Sequence, residues 1–147
     1  MKQEDKELLL KDLCARIPYG VKMNHIADNE HSPKTLIGVA KDMITLKGLG
    51  GYECVDVEHY KPYLFPLSSM TEEQFVELKV FADLIYESDT LELVEWNDNY
   101  KTLEFWLEEV PSYCVIKVFD WLNKNHFDYR GLIEQGLALD ATGLNIY

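Results

Sequence analysis

Between residues 112 and 139 the chain reads SYCVIKVFDWLNKNHFDYRGLIEQGLAL, and this segment constrains the fold more than any other. From 115 to 122 only Lys117 and Asp120 are charged. With Lys124 they fall at i, i+3 and i+7, which makes a narrow polar stripe on one side of a helix. Val115, Ile116, Val118, Phe119, Trp121 and Leu122 fill the rest of its circumference. The pattern predicts a helix wrapped on several sides, with the remainder of the chain as its packing partner. Asn125 suits the helix end, because asparagine tolerates the left-handed conformation found there. Asp128 reads as the N-cap of a short following helix that Gly136 stops.

A chain of 147 residues fits one domain, and a domain of that size buries roughly 68–70% of its unfolded surface. The expectation is therefore a single compact domain over 1–147. Apolar runs fall far short of the ~20 residues that span a bilayer. The opening MKQEDKELLLKDL does not read as a signal peptide, since acids precede a leucine run too short for an h-region. Cys14, Cys54 and Cys114 are odd in number and widely spaced. They read as reduced core residues of a cytoplasmic protein.

The formal charge of −12 is unevenly distributed. From 71 to 110 twelve carboxylates face only Lys79 and Lys101, a balance of −10. The remaining fourteen acidic and twelve basic residues contribute −2. Phosphate-binding surfaces need clustered lysine and arginine, so direct binding of nucleic acid or of an anionic membrane is excluded as an expectation.

Residues 3–17 predict an amphipathic helix with Leu9, Leu10, Leu13, Cys14 and Ile17 on its inner face, ended by Pro18. Residues 19–24 predict a short strand. Residues 35–47 predict a hairpin turning at Lys41-Asp42, and 52–57 another strand after the loop Gly48-Leu49-Gly50-Gly51. Residues 61–69, with prolines at 62 and 66, read as an extended connector. Thr71, with Gln74 in the capping-box position, starts a helix whose inner face is Phe75, Leu78, Phe81, Ala82 and Ile85, ending near Ser88. Within 89–110 a strand at 90–96 precedes a segment that matches both a helix and a strand; Pro111 favours the helix. The class is α+β, a small antiparallel sheet packed against several helices.

Three blocks, KDLCARIPYGVK at 11–22, KPYLFPLSSMTEEQ at 61–74 and DWLNKNHFDYRGLIEQGLALDA at 120–141, resemble a widespread family of small uncharacterised proteins of gut anaerobes and of the phages and mobile elements they carry. The resemblance implies a bacterial or phage-infected cytoplasm and a mobile-element role. It implies no activity.

His126, Asp128, Tyr129 and Arg130 form the densest group of functional side chains. They suggest either a ligand or partner contact, with Arg130 gripping an anion, or a structural knot in which Asp128 caps a helix and Arg130 pairs with an acid. An arginine in the first turn of that helix would oppose its dipole, so Arg130 is expected to have a specific partner. Glu73, Glu77, Asp83 and Glu87 would display carboxylates along one helix toward a basic protein surface. No metal site is expected from the spacing of His25, His31, His59 and His126, and no cofactor motif is present; the glycine loop lacks the Lys-Ser/Thr of a phosphate-binding loop. No nucleophile signature occurs, and the question of enzyme activity stays open, leaning against it. The reading is a non-enzymatic protein-interaction module. Its alternatives are an acidic nucleic-acid mimic directed at a host defence protein and a small-ligand or enzymatic pocket around His126 and Arg130.

Overall fold

The computed structural model describes residues 1–27, 32–82 and 112–147. They gather into two compact units, Met1–Leu64 with Arg130–Tyr147, and Phe65–Tyr129. The class is α+β.

The first unit opens with α1, Gln3–Arg16, whose Glu4 and Asp5 sit in the first turn and Arg16 in the last, as the helix dipole favours. Pro18 lies in a single 3₁₀ turn, Ile17–Tyr19, and Gly20 at φ 65° closes it. The buried face of α1 is Lys6, Leu9, Asp12, Leu13 and Arg16. The expected face was rotated from this: Leu9 and Leu13 are inside, but Cys14 is exposed. The rotation follows from partners for the buried charges, which an apolar periodicity does not register.

The sheet of this unit runs β4-β3-β2-β1-β5. Its strands are β1 Lys22–His25, β2 Lys34–Ala40, β3 Met43–Gly48, β4 Gly51–Asp56 and β5 Tyr60–Pro66. The β2–β3 hairpin turns at Lys41-Asp42, with Lys41 at φ 53° in place of the glycine such turns favour. The glycine loop turns the chain from β3 into β4, and Gly51 at φ 113° supplies a conformation closed to other residues. These pairings are antiparallel, but β7, Leu139–Asp140, runs parallel to β5, so the sheet is mixed rather than purely antiparallel.

The expected connector at 61–69 is largely this fifth strand. Its ladder explains how Pro62 fits. Ile26 donates to the His59 carbonyl at 2.9 Å. The two-residue period then makes 24/61 and 22/63 the hydrogen-bonded pairs, and leaves Pro62 opposite Met23 where β1 asks no N–H of it. At the 22/63 pair the Tyr147 hydroxyl is inserted. It accepts from Lys22 N at 3.1 Å and donates to Tyr63 O at 2.7 Å. Burial of that hydroxyl raises its pKa above the ordinary phenolic value. The core of the unit includes Leu9, Leu13, Val21, Met23, Leu36, Ile44, Leu46, Val57, Leu64 and Leu132.

In the second unit, α2, Glu72–Phe81, begins at the expected cap. Thr71 Oγ1 accepts from Gln74 N at 3.2 Å, and Gln74 Oε1 accepts from Thr71 N at 2.9 Å. Phe75, Leu78 and Ala82 are buried, whereas Phe81 is exposed. The expected helix end at Ser88, Ile85 and all of 89–110 lie outside the described residues. α3, Val115–Lys124, packs Val118, Trp121 and Leu122 into a cluster with Met70, Phe75, Leu78 and Phe127. Trp121 stacks on Phe127 with ring centroids 5.7 Å apart. The helix is not enclosed all round, because Ile116 is 78% exposed. α3 is the apolar anchor of its own unit.

Asn125 is the C-cap of α3, as expected, and its side-chain amide donates to Trp121 O at 3.0 Å. Its φ is −96°, however, and the left-handed residue is His126 at φ 60°. Asp128 caps no helix, since turns follow it; it lies in β6, Phe127–Asp128, which runs parallel to the end of β5 with Phe127 opposite Phe65. Residues 132–136 form consecutive turns closed by Gln135 N to Gly131 O and Leu137 N to Leu132 O, not a helix. No helix among the described residues is long and apolar enough to cross a membrane.

Candidate functional site

The structure divides the 126–130 cluster. The boundary between the two units falls between Tyr129 and Arg130. His126 and Asp128 are buried, at 7% and 8% exposure, and the His126 carbonyl accepts from Phe65 N. The Tyr129 hydroxyl donates to Asn123 Oδ1 at 3.0 Å while its ring packs on Phe119. The first contact ties the chain entering β6 to β5, and the Tyr129 contacts tie the chain leaving β6 to α3.

Arg130 belongs to the first unit, where its Nε lies 3.3 Å from Asp12 Oδ1. It does have the specific acidic partner expected of it, although the helix invoked as the reason does not exist. Asp12 is fully buried and also accepts from Arg16 Nε at 2.7 Å and Arg16 Nη2 at 3.1 Å. One carboxylate thus sits between two guanidinium groups, a fork geometry that arginine matches in two parallel bonds. Asp12 and Arg16 were absent from the sequence-derived site. Their i, i+4 spacing on a helix was the available signal.

The acidic face is described in part. Glu73 and Glu77 are exposed on the outer side of α2; Asp83 and Glu87 lie outside the described residues. Val76 and Val80, at 47% and 55% exposure, share that outer side. Positions 73, 76, 77 and 80 are i, i+3, i+4 and i+7, one continuous stripe of alternating carboxylates and valines. Hydrogen bonds from its own backbone N–H and from the Thr71 hydroxyl hold the Glu73 carboxyl below the usual glutamate value.

A third constellation was missed by sequence reasoning. Lys34 at the start of β2, Glu53 on β4 and Tyr60 on β5 meet beside the glycine loop. Lys34 Nζ and the Tyr60 hydroxyl both donate to Glu53 Oε1, the latter at 3.0 Å, and Lys34 Nζ lies 3.3 Å from the Tyr60 oxygen. The bond from Lys34 is the main reason Glu53 sits below its ordinary pKa; burial opposes it, and the Tyr60 bond and the charges of Lys34 and His25 assist. The same bond raises Lys34. Lys34 and the segment from Gly48 to Glu53 line an open cavity of about 170 Å³. The His25 ring stacks on His59 and meets Tyr60 edge-on at 5.1 Å. Only strand register brings these residues together, since 19 positions separate Lys34 from Glu53.

Lys6 occupies a fourth charged site, with Glu58 Oε1 at 3.1 Å, Asp42 Oδ1 at 3.6 Å and Asp56 Oδ1 at 3.8 Å. Burial would lower its pKa, but the Glu58 bond and the three carboxylate charges outweigh that and raise it. Among the described residues no group of three histidine, cysteine or acidic side chains is arranged to hold a metal ion. The expectation of three core cysteines is corrected: all are free, and only Cys114 is buried.

No family model, no curated protein and no solved structure matches this chain.

Proposed function

We propose that this chain is a non-enzymatic protein-interaction module that docks a basic partner protein through the outer stripe of α2. The observation that carries the reading is the exposure of Val76 and Val80 between Glu73 and Glu77 on one helical face. Such a face fits an apolar seat flanked by lysine or arginine, the helix-in-groove mode of recognition. Carboxylates steer the encounter and the valines supply desolvated contact. The paired valines also favour a protein groove over mimicry of nucleic acid, because a phosphate backbone presents no apolar equivalent at that spacing. On the sequence resemblance, the setting we assign is the cytoplasm of a gut anaerobe or of its phage-infected cell.

The test is affinity purification of the tagged chain from such a host, run in parallel with Glu73→Gln/Glu77→Gln and Val76→Ser/Val80→Ser. A specific partner is expected to be depleted by both double variants, and by added salt through the carboxylates alone. Partners retained equally by the wild type and both variants would remove α2 as the docking element.

A further inference from the structure

We infer that the tip of the β3–β4 hairpin binds a small zwitterion of the α-amino-acid type, its carboxylate on the Lys34 ammonium and its ammonium on Glu53. This site lies wholly in the first unit and is independent of the α2 stripe.

Glu53 and Lys34 both keep unspent hydrogen-bonding capacity. Glu53 accepts two bonds, both on Oε1; among the described residues its second oxygen accepts none. Lys34 carries three ammonium hydrogens and has two acceptors, Glu53 Oε1 and the Tyr60 oxygen. One acceptor and one donor of opposite charge therefore stand side by side at the wall of the cavity. A simple anion placed there meets the repulsion of Glu53, and a simple cation meets that of Lys34. A ligand carrying both charges close together satisfies each group and closes a ring of alternating charge.

The backbone is built to present this pair. A Cβ at Gly48 would lie 3.3 Å from Lys34 Cγ and 3.6 Å from Cδ and Cε. Glycine at 48 is what lets the lysine stem lie across the hairpin and reach Glu53. The Tyr60 hydroxyl fixes the carboxylate from behind. At the rim, Leu49 is fully exposed and Tyr52 is 71% exposed, with Lys47 Nζ 5.9 Å from the Tyr52 ring centroid. Two large apolar side chains held out beside a polar cavity are suited to cover the side chain of a bound amino acid.

The probe is ¹⁵N-labelled full-length protein titrated with each free α-amino acid, followed at the amides from Gly48 to Glu53. The single-charge controls are the N-acetyl and methyl-ester forms of the best binder, together with inorganic phosphate and ammonium. At least one apolar amino acid should give saturable shifts confined to this hairpin, and each single-charge control should bind at least about tenfold more weakly. Glu53→Gln should produce the same loss. Gly50→Leu gives a fold-neutral check, since a Cβ there meets no atom within 4 Å and the position has no left-handed φ. It should abolish the shifts at an unchanged melting temperature. Absence of saturable shifts with every amino acid, equal binding of a single-charge control, or binding that survives Gly50→Leu would each overturn the inference.

Discussion

Helices α1 and α3 look alike as sequence, each an amphipathic segment near one end of the chain, yet they are held by different forces. α3 turns Val118, Trp121 and Leu122 into an apolar cluster. α1 turns Lys6, Asp12 and Arg16 inward beside Leu9 and Leu13. Apolar burial is non-directional and scales with area. Buried charge is directional and repays its desolvation only when each partner is in place. The two units should therefore respond differently to substitution, α1 to the loss of a partner and α3 to the loss of volume.

The largest effect belongs to Asp12. Asp12→Ala removes the carboxylate that the fully buried Arg16 and the part-buried Arg130 share. Breaking a buried pair from one side costs about 3–5 kcal/mol, and urea denaturation followed by far-UV circular dichroism should show a loss of that size. Removing charge from both sides with Asp12→Leu/Arg16→Met should recover most of it, because Arg130 is part-exposed and has a route to water. A double variant as unstable as Asp12→Ala would mean that the ionic contact itself, and not the relief of stranded charge, stabilises α1.

Trp121 comes next. Among the described residues its indole N–H finds no acceptor, so its contribution is packing against neighbours such as Phe127. Trp121→Ala should cost about 3–5 kcal/mol through the cavity it opens. Ile116→Ala on the same helix should change stability by no more than about 0.5 kcal/mol, given its exposure. Equal losses at 116 and 121 would mean that α3 is enclosed all round and would erase the contrast with α1.

The same contrast explains what could be read from the residues alone. The α2 start was legible because Thr71 and Gln74 satisfy each other's backbone partners within four residues. The 35–47 hairpin was legible because its alternating strands are local. β5 was read as a connector because its two prolines count against a strand; only the register opposite β1 shows that Pro62 stands where no donor is needed. β6 and β7 are two residues each, too short for any periodicity. Asp128 was read as the start of a helix, but the residues after it close consecutive turns, a difference of backbone and not of identity. The wrapped-helix expectation for α3 failed at Ile116, since hydrophobicity states what a side chain tolerates and not what covers it. Of the 126–130 group, the need of Arg130 for a carboxylate was legible; that the carboxylate is Asp12, 118 positions upstream, was not. Lys34, Glu53 and Tyr60 carry no local pattern at all, and the site they form exists only through strand pairing.

The smallest effect tests a charge pair placed between the two extremes, neither stranded inside nor fully in water. Lys34 and Glu53 are 31% and 36% exposed, so screening limits their contact to at most about 1 kcal/mol. Glu53 is shifted below its ordinary 4.5, and its contribution is therefore complete above that value and fades as pH falls through the lower folded value. Lys34 is shifted above its ordinary 10.5, and its contribution is complete below that value and fades as pH rises through the higher folded one. Between those limits the pair should contribute a flat plateau. Glu53→Gln should be less stable than the wild type throughout the plateau, and the difference should close on acidification, where the protonated glutamate becomes a near-isostere of glutamine. Paired urea titrations at neutral and strongly acidic pH measure that closure. A gap that persists in acid would assign the contact to hydrogen bonding and packing, placing this pair with α3, while a gap that closes places it with α1.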